Sequence, residues 1–207
     1  GAIGVEFAYF YNAMGDDVTV VEILPNIVPV EDIDVSKQLE KTFKKKGMNI
    51  MTNSSVEKVE KSSKGCEVHI KTVKGMETIS CDIVLSAVGI QPNIENIGLE
   101  ETGIVVDGGK IVVNEYYETN IPGYYAIGDV VAGQALAHVA SAEGITCVEK
   151  IAGQNPEPID YNNIPGCTYC SPEIASVGMT EKAAKEAGYE LKIGKFPFSA
   201  SGKASAA

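Results

Sequence analysis

The first residues of the chain have the spacing of a phosphate-binding glycine turn. Gly1 and Gly4 precede a helix-compatible run, residues 5–14, which ends at Gly15. A glycine at the first position lets the backbone approach a pyrophosphate, and one at the fourth lets the helix pack closely on a strand. The start of the helix presents free N–H groups and a favourable dipole to the anion. A tight turn that binds nothing explains the same two glycines equally well.

Glu22 adds a second signal at the expected distance. It follows residues 18–21, a β-branched run that is typical of a buried parallel strand, and stands 18 positions after Gly4. A carboxylate at this place accepts hydrogen bonds from adenosine ribose hydroxyls and repels a 2′-phosphate. Residues 23–26 contain no cation. The pattern predicts NAD rather than NADP, whereas the competing interpretation is a surface glutamate at a strand end.

A second group of polar residues follows another predicted strand. Residues 124–129 are expected to form a strand that runs into a loop at Asp129, and a long helix is expected over residues 135–152. The Asp129 carboxylate is suited to accept hydrogen bonds from sugar-like hydroxyls. The first turn of the helix, near His138, offers free N–H groups to electron-rich ring atoms. Helix capping by Asp129 is the alternative.

The elements that must position these groups alternate between strand and helix. Residues 33–46 predict a helix with Ile33, Leu39 and Phe43 turned inward. Residues 82–89 predict another buried strand that ends at Gly89. Further short strands are predicted at residues 49–51, 55–60, 66–71, 76–80, 111–113, 168–169, 174–177 and 190–198, with a helix at 181–187.

Composition excludes several classes of protein. The 207 residues are 44% hydrophobic and 22% charged, which excludes a disordered chain, and no apolar run is long enough to span a membrane. The net charge of −11, with lysine as the sole basic residue besides two histidines, argues against a nucleic-acid partner. Five scattered cysteines indicate a reducing compartment, and we expect a cytoplasmic protein. No metal site is predicted, since His69 lies in an alternating strand.

Seven segments, taken in order, carry a family resemblance. They begin with Gly-x-x-Gly-Val-Glu-Phe and include Thr-Asn-Ile-Pro-Gly-Tyr-Tyr-Ala-Ile-Gly-Asp; they are residues 1–7, 18–22, 86–93, 119–129, 136–144, 172–181 and 196–204. With this set the chain resembles the flavoprotein disulfide reductases and, among them, is most similar to the dihydrolipoamide dehydrogenases.

The resemblance implies a role for each matching residue. NAD would contact the pyrophosphate loop Gly1, Ala2, Ile3 and Gly4, the nicotinamide-side acid Glu6, the ribose acid Glu22, and backbone positions at Val56 and Gly89. FAD would contact Asp129 through its ribityl chain and Leu136, Ala137 and His138 through its ring. No catalytic residue of the family falls within the chain.

The resemblance also implies an activity and partners. The family oxidises protein-bound dihydrolipoamide through a redox disulfide and FAD, and it reduces NAD+ to NADH. Its members are homodimers that serve lipoyl-bearing acyltransferase subunits of 2-oxoacid dehydrogenase complexes or the glycine cleavage protein. We expect this chain to be an inactive internal fragment of a protein about twice as long, without the redox cysteines and the acid–base His–Glu pair. The alternatives are a stand-alone NAD-binding module and another disulfide reductase, such as mercuric reductase.

The resemblance fixes the expected fold and its division. It implies an α/β protein: a Rossmann-like FAD/NAD(P)-binding domain of three-layer ββα architecture, followed by the start of an α+β dimerisation domain. Residues 1–112 would be the NAD-binding domain with a truncated first strand, residues 113–160 a returning segment of the FAD-binding domain, and residues 161–207 part of the interface domain.

Cys167 and Cys170 form a C-x-x-C pair, a spacing that in a reductase suggests redox chemistry. The family's redox pair has a wider spacing and lies in its N-terminal segment. Residues 168 and 169 instead continue an alternating strand, in which an odd separation places the two cysteines on opposite sides. We therefore predict a structural rather than a redox role.

Overall fold

A computed structural model describes residues 1–206. It opens with helix α1 (Ala2–Met14), strand β1 (Thr19–Val21), helix α2 (Ile33–Lys45) and strand β2 (Asn49–Met51). β1 and β2 pair in parallel, and α1 packs on β1 while α2 packs on β2. Gly15 ends α1 with φ 102°, a left-handed conformation that favours glycine. The predicted order of helix and strand is confirmed for this part of the chain.

The core lies between the two helices and the parallel strands. Val5 and Ala8 of α1 belong to the same buried cluster as Leu39 and Phe43 of α2, and the cluster also contains Ile27, Val28, Met48, Cys170 and Ile174. The prediction that Ile33 points inward is wrong, because its side chain is 41% exposed. The buried stripe of α2 starts one turn later, at Ser36, and continues at spacings of three and four residues.

An antiparallel ribbon follows the parallel pair. It consists of β3 (Ser55–Ser62), β4 (Gly65–Thr72) and β5 (Gly75–Cys81), joined by tight turns. β4 is the central strand and turns Val68 and Ile70 to a buried face, while its intervening residues meet solvent. The predicted ribbon with one wet face is confirmed.

The predicted buried strand over residues 82–89 is wrong. This segment has no strand assignment, Ile83 is 81% exposed and Val88 is 95% exposed. Among the described residues β1 pairs only with β2, so the segment finds no neighbouring strand to supply ladder hydrogen bonds. An apolar composition therefore does not by itself make this segment a buried strand, because a strand also needs a hydrogen-bonded neighbour.

The middle of the chain contains short elements and one long helix. Helix α3 (Leu99–Thr102) and the paired strands β6 (Val106–Asp107) and β7 (Lys110–Ile111) precede helix α4 (Ala137–Ile151). α4 confirms the predicted long helix, and β7 is shorter than the predicted strand over 111–113. The strand predicted over residues 124–129 is wrong: one bridge joins Glu118 to Tyr125, and Gly128–Val130 forms a 3-10 turn.

The last part of the described chain combines a hairpin with short helices. β8 (Gly166–Thr168) pairs antiparallel with β9 (Ile174–Ser176), and helices α5 (Glu181–Glu186) and α6 (Gly202–Ala206) follow. The strand predicted over residues 190–198 is wrong, since no residue there joins a ladder and Phe196 is 73% exposed. No helix within residues 1–206 is long and apolar enough to cross a membrane.

Candidate functional site

The structure brings Gly1 and Glu22 together. The terminal ammonium of Gly1 forms an ion pair with one Glu22 carboxylate oxygen at 3.3 Å and donates to the carbonyl oxygen of Ile27 at 2.8 Å. Leu24 donates its backbone N–H to the other Glu22 oxygen at 3.0 Å. The carboxylate is thus fixed beside the start of α1, where the first N–H groups have no side-chain cap. Glu22 and the glycine turn therefore lie at one edge, and the binding of a pyrophosphate there stays a prediction.

A cationic groove that no local sequence pattern predicted is lined in part by Pro25 and Asn26, shortly after Glu22. It has a volume of about 640 Å³ and runs along α2. Its cations come from the next helix rather than from residues 23–26, so local sequence gave no signal. Its lining consists of Pro25, Asn26, Thr52, Glu40 and the lysines Lys37, Lys41, Lys44 and Lys45.

Glu6 lies in the second turn of α1 and has a partner far away in the chain. One of its carboxylate oxygens accepts a hydrogen bond from the backbone N–H of Tyr169 at 2.7 Å. This bond ties α1 to the end of β8, so Glu6 links two distant parts of the chain. Glu6, the acid predicted to face the nicotinamide, is therefore hydrogen-bonded to the protein backbone at Tyr169.

The two backbone positions predicted to line the NAD groove lie on separate segments. Val56 is in β3 beside a bulge and is 45% exposed. Gly89 has φ 128° with open space around its Cα, at the end of the exposed segment 82–89. That segment returns to the glycine turn, because a Cβ on Gly4 would lie 3.6 Å from the Cβ of Ala87.

The second group of predicted residues surrounds the start of α4. Asp129 lies in the 3-10 turn with an exposed side chain, and its carbonyl oxygen accepts from the Lys110 ammonium at 3.1 Å. Leu136 is the N-terminal cap residue of α4, with extended backbone and no side-chain cap. Ala137 and His138 form the first turn, and His138 Nε2 lies 3.1 Å from the carbonyl oxygen of Pro165.

Glu143 organises this second group, although the sequence analysis gave it no role. It is 1% exposed and accepts hydrogen bonds from the Gly128 N–H at 2.6 Å and from the Tyr161 hydroxyl at 2.5 Å. Tyr161 also contacts the hydroxyl of Tyr117 at 3.1 Å. One feature of the sequence could have identified Glu143: it is a charged residue on the apolar side of α4. A buried carboxylate at such a position requires hydrogen-bond partners.

The same network holds the far side of the loop between the 3-10 turn and α4. Gly133 has φ 134°, and a Cβ there would lie 2.8 Å from Cε1 of Tyr161. Burial and the neighbouring Glu143 and Tyr117 groups raise the pKa of Tyr161 above its ordinary value, so this phenol stays protonated and donates. Asp129 and Leu136 are therefore positioned by buried contacts on both sides of their loop.

The C-x-x-C cysteines differ in burial, and the prediction that residues 168 and 169 continue one strand is wrong, because β8 ends at Thr168. Cys167 is exposed, while Cys170 is 3% exposed in the core cluster and its thiol donates to the carbonyl oxygen of Pro172 at 3.2 Å. Burial, followed by the Glu6 carboxylate, raises the pKa of Cys170 to about 11. A thiol with this pKa is a poor nucleophile at neutral pH.

One cluster with metal-ligand chemistry occurs on the wet face of the ribbon. Potential ligand atoms of Glu60, Glu67 and His69 lie within 4.8 Å of one another. Glu60 is ion-paired with Lys58 and lies 3.4 Å from the imidazole of His69. The charge of Glu60 is thus compensated by protein groups.

Comparison with known proteins decides the family. Residues 1–144 match the pyridine nucleotide-disulphide oxidoreductase model, and residues 164–207 match the dimerisation domain of the same family. The chain belongs to the pyridine nucleotide-disulphide oxidoreductases. Both groups of site residues fall within the first match.

Curated relatives of this oxidoreductase are dihydrolipoyl dehydrogenases. The chain is 50% identical to the enzyme of Rhizobium etli, covering 99% of this chain and 43% of that protein. It is 47% identical to the enzyme of Bacillus subtilis, covering 99% of this chain and 44% of that protein. The chain therefore spans less than half the length of the curated relatives it matches.

Solved structures of similar oxidoreductases support the fold. The HOCl-induced flavoprotein disulfide reductase RclA from Escherichia coli superposes with a TM-score of 0.90 at 27% identity, covering 100% of this chain and 47% of that one. LpdA from Mycobacterium tuberculosis gives a TM-score of 0.82 at 29% identity, covering 90% of this chain and 40% of that one.

The residues of this oxidoreductase fit the two nucleotides that membership of the family implies, a pyridine nucleotide and FAD. The first group consists of the residues predicted to contact NAD, which are Gly1, Ala2, Ile3, Gly4, Glu6, Glu22, Val56 and Gly89. There a Cβ on Gly1 would meet no atom within 4 Å, and the uncapped N–H groups of α1 suit a phosphate. Each Glu22 oxygen has two lone pairs, and the contacts found leave acceptor capacity for ribose hydroxyls. At the second group, the exposed Asp129 carboxylate and the uncapped start of α4 offer an acceptor and donors for a flavin.

Proposed function

We propose that this chain is the nucleotide-binding and partial interface portion of a dihydrolipoyl dehydrogenase. The whole protein would oxidise protein-bound dihydrolipoamide through a redox disulfide and FAD and would reduce NAD+ to NADH. The observation that carries the proposal is the Glu22 carboxylate, which follows β1, stands 18 positions after Gly4 and accepts the Leu24 N–H at 3.0 Å. Identity of 50% to a dihydrolipoyl dehydrogenase over almost the entire chain supports it.

Residues at the first group would bind and orient NAD. The N–H groups of Ala2, Ile3 and Gly4 would hold the pyrophosphate, since a helix N-terminus favours an anion. Glu22 would accept hydrogen bonds from the adenosine ribose. Val56 and Gly89 would line the groove through their backbone. Glu6 would face the nicotinamide, which requires its bond to the Tyr169 N–H to open or to coexist with the ligand.

Residues at the second group would bind FAD. The Asp129 carboxylate would accept from the ribityl hydroxyls, and the backbone of Leu136, Ala137 and His138 would face the ring. When bound, FAD supplies a carrier for two electrons between a dithiol and the nicotinamide. This chain's contribution is to orient that carrier, and Glu143 contributes by holding the Gly128 N–H.

Assembly and location belong to the same proposal. The match of residues 164–207 to a dimerisation domain supports a homodimer for the whole protein. Lipoyl-bearing acyltransferase subunits of 2-oxoacid dehydrogenase complexes, or the glycine cleavage protein, would then deliver the dihydrolipoamide. Five free cysteines support a reducing, cytoplasmic location. We propose that the 207-residue chain alone is not catalytic.

Titration calorimetry of the chain with NADH and with NADPH tests the proposal. Tighter binding of NADH is expected, because Glu22 would repel the 2′-phosphate. Equal or tighter binding of NADPH would contradict it. Absence of binding by both nucleotides from a folded chain would also contradict it.

A stand-alone NAD-binding module is the second candidate, and its distinguishing feature is the second group. Such a module needs no flavin-binding residues. We therefore expect weak FAD binding by this chain that is lost on Asp129→Ala, measured by quenching of flavin fluorescence. FAD binding that Asp129→Ala leaves unchanged would favour the module. Asp107→Ala, which alters a β6 residue, is the matched control.

A further inference from the structure

The antiparallel ribbon contains two cysteines at directly opposite positions. Cys66, the second residue of β4, pairs in register with Cys81, the last residue of β5. Opposite residues of an antiparallel pair project from the same face. Both thiols are free and half-buried. The remaining cysteines lie elsewhere, in α4 or around β8.

The backbone confirms a close approach at this end of the ribbon. Gly65 precedes Cys66, and a Cβ on Gly65 would lie 2.5 Å from the carbonyl oxygen of Cys81. Opposite residues in an antiparallel ladder have Cα atoms about 4.5–5.5 Å apart, which is within the range for a disulfide. Their Cβ atoms are typically about 4.5–5.5 Å apart, so formation of the bond needs a shift of about 1 Å. Cys81 ends an edge strand, where such a shift disturbs few pairs.

From this arrangement we propose that Cys66 and Cys81 are an oxidation site, which forms an intramolecular disulfide on reaction with a low-molecular-weight disulfide such as glutathione disulfide. The site is separate from both nucleotide-binding groups and does not rest on the proposed function. The disulfide would fix the end of β5 at Cys81, where the segment 82–89 begins.

The chemistry is a pair of thiol–disulfide exchanges. The Cys66 thiolate attacks one sulfur of glutathione disulfide, its S–S bond breaks, and the departing glutathione takes up the proton that Cys66 lost. Cys81 then attacks the Cys66 sulfur of the mixed disulfide, and the second glutathione leaves with the second proton. Two protein thiols are oxidised, and one glutathione disulfide is reduced to two glutathiones.

The order of attack follows from the surroundings of Cys81. Burial, followed by the neighbouring Cys66 and Asp82 groups, raises the pKa of the Cys81 thiol. A raised pKa lowers the fraction of thiolate. Cys81 therefore acts second, when the mixed disulfide has brought an electrophilic sulfur directly opposite it.

Peptide mapping of the folded wild-type chain tests the proposal. The chain is incubated with glutathione disulfide, remaining thiols are alkylated, and trypsin cuts at Lys71 and Lys74 between the two cysteines. We expect loss of two of the five free thiols and a linked pair of peptides carrying Cys66 and Cys81, reversed by dithiothreitol. Persistent mixed disulfides without this link, five unreacted thiols, or links spread over other pairs would overturn the proposal.

Two variants and a denatured sample sharpen the test. Cys81→Ser should stop at a mixed disulfide on Cys66, whereas Cys167→Ser, at an exposed position, should leave the link unchanged. In urea the specific pairing should give way to several pairings, because it depends on the folded register. The same dominance of the 66–81 link in folded and unfolded chains would mean that sequence proximity, not the ribbon, causes it, and would overturn the proposal.

Discussion

The carboxylate of Glu143 accepts a hydrogen bond of 2.6 Å from the backbone N–H of Gly128, 15 residues earlier in the chain. Gly128 has φ 74°, and a Cβ there would approach Ala140 to 3.3 Å. One buried acid thus fixes both the turn that carries Asp129 and the helix whose first residues are Leu136 and Ala137. The residues proposed to face the flavin are thus held by a buried group of the protein itself.

Removal of this acid should destabilise the chain. Glu143→Ala leaves the Gly128 N–H and the Tyr161 hydroxyl without their acceptor in a buried site, and an unsatisfied buried group costs about 1–3 kcal/mol. Urea unfolding followed by circular dichroism should give a free energy of unfolding lower by about 3 kcal/mol. Ser141→Ala, at an exposed position of α4, should change it by less than about 0.5 kcal/mol. Equal effects would contradict the role assigned to Glu143.

Gly133 should not tolerate a side chain. Gly133→Ala places a Cβ about 2.8 Å from the Tyr161 ring and at φ 134°, a conformation that L side chains rarely adopt. We expect a loss of more than about 1 kcal/mol in the free energy of unfolding. Gly194→Ala is the control, because a Cβ there meets no atom within 4 Å and its φ lies outside the glycine-favouring range. A neutral Gly133→Ala would show that the loop does not pack on Tyr161 as described.

Glu22 should govern nucleotide affinity. A hydrogen bond to a charged group contributes about 1.5–3 kcal/mol, so Glu22→Ala should weaken NADH binding about tenfold or more. It should affect NADPH less, because the repulsion of the 2′-phosphate is lost with the carboxylate. Calorimetric titration of both nucleotides measures the difference. Asp16→Ala, beyond the other end of α1, should leave both affinities unchanged, and a parallel loss in that variant would point to a general effect on folding.

Cys170 should make stability depend on alkaline pH. Its pKa is about 11 in the folded chain and 9.0 ordinarily, so folding favours the protonated thiol. Its contribution is complete below pH 9 and is lost as pH rises towards 11, by at most about 3 kcal/mol. Cys170→Ser should show a shallower fall in urea midpoint over this window than wild type. An identical pH profile would contradict the burial of this thiol.

Alkylation gives an independent measure of the same environment. At neutral pH the exposed Cys167 should react with iodoacetamide well before Cys170, since only a thiolate attacks and Cys170 is both buried and weakly ionised. Mass spectrometry of timed samples separates the two sites. Faster modification of Cys170 would mean that the hairpin opens readily.

Local patterns were sufficient for elements whose partners lie close by in the chain. Gly15 ends α1 and the spacing of Leu39 and Phe43 marks the buried face of α2, because each depends on residues within a few turns. Apolar composition failed for residues 82–89 and 190–198, because a strand needs a hydrogen-bonded neighbour and none of the described residues provides one. The strand predicted before Asp129 failed for a different reason: Glu143 draws Gly128 into a 3-10 turn.

The sequence by itself determined the family and the fold class, since these depend on residue types and their spacing along the chain. It also predicted the glycine turn with Glu22, and the residues around Asp129, as nucleotide-binding groups. Only the tertiary structure decided what surrounds them. It placed α2 lysines beside Asn26, gave Glu6 a partner 163 residues away at Tyr169, and set Cys66 opposite Cys81. Such contacts join segments far apart in the chain, and their geometry follows from how helices and strands pack rather than from any local pattern.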